Sequence, residues 1–90
     1  MTIKSVVYSA ECANSEWSES LGCYTESYYM GEREYEVDGN YNNHGLVGEV
    51  FAIERHNDNS ITVYVRLENG KVVEGMWIPS HAVQRVYYYD

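Results

Sequence analysis

Basic residues are scarce in this chain. Six Lys and Arg stand against fourteen Asp and Glu, for a formal net charge of −8. Backbone binding of a polyanion normally needs clustered Lys and Arg, so direct nucleic-acid binding is not expected. Proline occurs once, at Pro79, where it cannot continue a strand ladder and must end one. No apolar run approaches the roughly 20 residues of a membrane-spanning helix. The start, Met1 to Tyr8, carries one charge and too short an apolar stretch for a signal peptide. A cytoplasmic protein with no membrane partner is the expectation. Cysteine occurs twice, at Cys12 and Cys23. A reducing compartment favours two free thiols, and an exported chain would allow a disulfide between them. Their spacing is not the C-x-x-C of zinc or redox sites. No phosphate-binding loop, nucleophile elbow or H-E-x-x-H stretch is present. His44, His56 and His81 lie far apart in the sequence. No metal, no cofactor and no catalytic residue is expected, and the chain does not read as an enzyme.

What the chain does have is acid and tyrosine, unevenly placed. Its 90 residues suit one domain with a small core. Residues 11–38 hold eight acids and one base, Arg33. The remainder is close to neutral. Tyrosine occurs ten times, six of them within the first 41 residues. Its rigid apolar body and polar tip serve cores and recognition surfaces alike. Glu32, Glu34 and Glu36 alternate along a predicted strand and share one face, where like charges cost stability unless a partner relieves them.

Periodicity predicts a mainly β chain. Ile3 to Tyr8 reads as a strand. Ala10, Ala13, Trp17 and Leu21 repeat at three and four, which predicts a short helix or structured loop with Trp17 anchored on the body. Cys23 to Met30 reads as a strand and Met30 to Arg33 as a turn. Tyr35 and Val37 then face inward. Asp38 to Gly45 is a turn-rich loop. Val47 to Glu54 is a strand. Ile61, Val63, Val65 and Leu67 face the core, with Thr62, Tyr64 and Arg66 outside. Asn69-Gly70 marks a hairpin, Val72 to Ile78 returns, and Ser80 to Ala82 makes a helical turn before a last strand from Val83 to Tyr88.

This order resembles a Src-homology-3-like barrel over residues 33–89. Gly45-x-x-Gly48-x-Val50-x-x-Ile53 is similar to the core of a KOW motif of transcription-elongation and ribosomal proteins. Ile78-Pro79-Ser80-His81-Ala82-Val83 is similar to the Pro-Ser-Asn-Tyr-Val end of peptide-binding domains of that class. The resemblance implies a small barrel over residues 33–90, preceded by an acidic, Tyr-rich extension, residues 1–32, packed upon it. The proline-peptide groove of the class lacks its Ala-Leu-Tyr-Asp-Tyr segment here, and Ala82 stands at the groove tyrosine.

The function expected from these features is protein binding. Glu26, Tyr28, Tyr29, Glu32, Glu34, Glu36, Tyr41 and Trp77 are the candidate contact residues. The expected partner is a protein with a basic surface, such as a nucleic-acid-handling enzyme that a phage-type inhibitor would block by mimicking nucleic acid. The chain itself is expected to be a monomer or homodimer. The alternatives are a KOW-like RNA-binding or ribosome-associated module, and a small accessory subunit of a larger enzyme complex.

Overall fold

A computed structural model describes residues 2–89. The chain is mainly β and forms two antiparallel sheets. In chain order the strands are β1 (Ile3–Ser18), β2 (Cys23–Glu36), β3 (Asn40–Asn43), β4 (Leu46–Arg55), β5 (Ile61–Arg66), β6 (Val72–Ile78) and β7 (Val83–Tyr88). One sheet has the order β2-β1-β7 and the other β3-β4-β5-β6. A single 3-10 turn, Ser80–Ala82, separates β6 from β7. No helix among the described residues is long and apolar enough to cross a membrane.

Each turn has a local cause. His44 and Gly45 both take positive φ, 51° and 80°, which is the requirement of a two-residue hairpin turn. The Leu67 N–H donates to the Lys71 carbonyl, and Gly70 closes that loop at φ 85°. Asn-Gly therefore makes a three-residue loop with its left-handed glycine. In the loop after β4, Asp58 accepts from the Ser60 N–H at 2.9 Å and from its hydroxyl at 2.6 Å. Pro79, at φ −64°, ends β6, and the Ala82 N–H returns to its carbonyl at 3.0 Å.

The core lies between the sheets. Ile3, Val6 and Tyr8 of β1 meet Tyr41, Val50, Ile53, Ile61, Val63, Val65 and Ile78 of the second sheet. The Tyr35 ring stacks between Tyr8 and Tyr41, with centroids 5.7 and 5.0 Å away. Space for Tyr41 comes from Gly75, where a Cβ would lie 2.4 Å from Val65 Cγ2 and 3.1 Å from Tyr41 Cζ. At Gly48 a Cβ would lie 2.3 Å from the Arg66 carbonyl oxygen. The strand there can approach its neighbour only without a side chain.

Several expectations are corrected. Residues 10–18 are neither helix nor loop but the outer half of β1, paired in register with β2. Met30 to Arg33 is not a turn, because β2 runs through it without a bulge. A boundary at 32/33 falls inside that strand. Trp17 is 56% exposed rather than anchored on the body. The loop from Asp38 to Gly45 contains β3. Thr62 is buried, not outside; its hydroxyl hydrogen-bonds His56 Nε2 at 2.6 Å, so its polar atom is satisfied under cover.

Candidate functional site

The long pairing of β1 with β2 produces an arm. β7 pairs with β1 only as far as Tyr8, opposite Val83. Beyond that point β1 and β2 have only each other, out to the Ser18–Cys23 pair. The hairpin ends in residues 19–22, with the Gly22 N–H donating to the Ser18 carbonyl at 2.9 Å and Gly22 at φ 65°. The ten residues from Tyr8 to Ser18, at about 3.3 Å each, carry the tip roughly 33 Å beyond the last β7 pair.

Register decides which side chains share a face, because residues opposite each other in a ladder point the same way. Glu36, Glu34 and Glu32 lie opposite Ser5, Val7 and Ser9. Continuing outward on that same face come Met30, Tyr28, Glu26 and Tyr24 of β2, with Glu11, Ala13, Ser15 and Trp17 of β1. The face is thus graded. Its base is a carboxylate ladder, and its outer half is aromatic with two acids, Glu11 and Glu26. The Trp17 and Tyr24 rings meet edge to face at 5.2 Å. The Tyr28 hydroxyl donates to Glu26 at 3.1 Å.

The carboxylate ladder is exposed. One base reaches it: Arg85 of β7 lies opposite Val7 and bonds Glu32 at 3.1 Å. With both partners exposed, that pair contributes at most about 1 kcal/mol. Glu34 and Glu36 have no ion-pair partner among the described residues. On the opposite face of β2, the nearby Cys12 and Tyr8 side chains hold the Arg33 guanidinium more firmly protonated. Cys12 lies opposite Tyr29 and Cys23 opposite Ser18. Six residue steps of ladder, roughly 20 Å, separate them, so they are free thiols that cannot bridge within the chain.

Of the expected contact residues, the arm face gathers Glu26, Tyr28, Glu32, Glu34 and Glu36. Tyr29 is exposed but on the reverse face. Trp77 is 58% exposed on the second sheet, opposite Thr62, and does not join the arm. Tyr41 is corrected outright: it is 1% exposed and belongs to the core, where Gly75 makes room for it. The residues missed are Trp17, Tyr24 and Met30, which are 56, 69 and 69% exposed. An adjacent aromatic pair such as Tyr28-Tyr29 signals that one ring of a strand must be outside. No such local signal marks Trp17, whose place depends on pairing with Tyr24.

Among the described residues no group of three or more His, Cys, Asp and Glu is placed to hold a metal. No family model, curated protein or solved structure matches the chain.

Proposed function

We propose that this protein is a non-enzymatic binding module that docks the graded face of its arm on a protein with a basic surface. One observation carries the reading: the register of β1 on β2 puts Glu26, Glu32, Glu34, Glu36, Trp17, Tyr24, Tyr28 and Met30 on one exposed face. Exposed apolar area of this kind, rimmed by charge, is characteristic of interaction surfaces. The aromatic half supplies anchors whose burial contributes most of the affinity. The carboxylates speed encounter and fix orientation against positive charge. A basic groove that normally holds nucleic acid is one surface of this chemistry, and occupying it would inhibit its owner.

The test is affinity capture from native cytoplasmic extract, with the wild-type chain and with a Glu32→Lys, Glu34→Lys, Glu36→Lys variant. A partner retained at low salt, released at high salt and absent from the variant is the expected outcome. Equal retention by both chains, or retention indifferent to salt, overturns the reading.

A further inference from the structure

The arm has an edge as well as a face. β2 is the outermost strand of its sheet. In an antiparallel pair, alternate residues turn their backbone groups toward the partner strand and away from it. The Val37 N–H donates to the Lys4 carbonyl at 2.9 Å, so the odd-numbered residues of β2 bond to β1. The even-numbered ones face away. The Gly39 N–H agrees, reaching the Glu36 carbonyl on the outward side at 2.9 Å. From Tyr24 to Glu34 the outward amides and carbonyls have no backbone partner among the described residues.

Long strand edges are usually blunted by proline, lysine, bulges or a covering loop. β2 has no proline, no lysine and no register shift across its fourteen pairs with β1. The ladders of β1 with β7, β4 with β5 and β5 with β6 are all interrupted. The residues that own the open backbone groups are Tyr24, Glu26, Tyr28, Met30, Glu32 and Glu34. They are also the β2 residues of the docking face, because all outward-directed residues of a strand share one face.

We infer that the open edge of β2 accepts an extended basic segment of the partner protein as an added antiparallel strand. This rests on the proposed docking function and specifies how it is done. Backbone hydrogen bonds would supply register, and side chains opposite the glutamates would select Lys or Arg at alternate positions. Alternation matters because the intervening side chains fall on the reverse face, where Arg33 lies. A second copy of this chain is the less suitable occupant, since it would bring another acidic arm against the first.

The probe is a synthetic peptide of alternating Lys and Val, as long as Tyr24–Glu34, with two N-methylated analogues of the same charge. In antiparallel addition the lysines lie opposite the glutamates and carry the bonding amides. N-methylation at the lysines removes those bonds; N-methylation at the valines leaves them. The full-length protein should bind the plain peptide and its valine-methylated analogue alike. It should bind the lysine-methylated analogue about tenfold or more weakly, since several backbone bonds are lost together. Amide exchange should slow at Tyr28, Met30, Glu32 and Glu34. Equal binding of all three peptides overturns edge addition while leaving charge-driven docking intact. Failure to bind the plain peptide overturns it too, with the docking reading then judged on captured partners. Slowing confined to the outer edge of β1, or association of the protein with itself, would move the edge assignment elsewhere and reject it for β2.

Discussion

Tyr41 and Tyr28 put one side chain to opposite uses. Tyr41 is 1% exposed and closes a stack with Tyr35 and Tyr8, whereas Tyr28 is 63% exposed on the arm. The buried rings give the protein an alkaline limit. Burial, then a hydrogen bond with Tyr35, raises the Tyr8 phenol well above its ordinary pKa, and burial raises Tyr41 too. A group that holds its proton more tightly when folded contributes stability that is complete below its unfolded pKa. That contribution is lost as pH climbs from there toward the folded value. For these tyrosines the loss begins near pH 10. Thermal melts across an alkaline series should show Tm falling from about pH 10 upward, with buried phenols ionising only as the chain unfolds. Tyr8→Phe removes one such group and should make the decline shallower. A Tyr8→Phe decline as steep as that of wild type would rule out the account.

At the scale of elements, the arm is the part that sequence reasoning could not place. The strands from Leu46 onward announce themselves by alternation, by Asn69-Gly70 and by Pro79, all of which act within a few residues. The outer half of β1 has no such signal. Ala10, Ala13, Trp17 and Leu21 follow a helical spacing, and only pairing with residues 23–31 overrides it, a non-local term that no window contains. The acidic patch was legible because Glu32, Glu34 and Glu36 alternate. Of its aromatic continuation, Tyr28 was legible from the adjacent pair Tyr28-Tyr29, whereas Trp17 was not, because it joins the face through the register alone. Two-stranded hairpins are marginal in water by themselves, so the arm should open more readily than the body. The Trp17–Tyr24 contact contributes about 0.5–1.5 kcal/mol beyond its buried area. Trp17→Ala should therefore speed amide exchange through residues 13–28 while shifting the global Tm by only a few degrees. A large fall in Tm would mean instead that arm and body unfold as one unit.

For the molecule as a whole, the arm sets the shape and carries most of the charge. The principal extents are 53 × 32 × 22 Å and the radius of gyration is 16.1 Å. A compact chain of this length would have a radius near 12 Å. Much of the chain's net charge of −8 comes from the acids of residues 11–38, so two arms approaching each other in dilute salt are repelled over a Debye length of about 10 Å or more. Such repulsion opposes pairing of the open β2 edge, which carries neither proline nor a bulge, with that of a second copy. The same field attracts a basic strand. Small-angle scattering at low ionic strength, extrapolated to infinite dilution, should give a radius near that of the extended shape, and the mass should not rise with protein concentration. A compact radius would mean that the arm lies folded against the body and that its face is covered. A mass that doubles with concentration at low salt would show that the carboxylates do not keep the edges apart, and selectivity for a basic strand would lose its electrostatic basis.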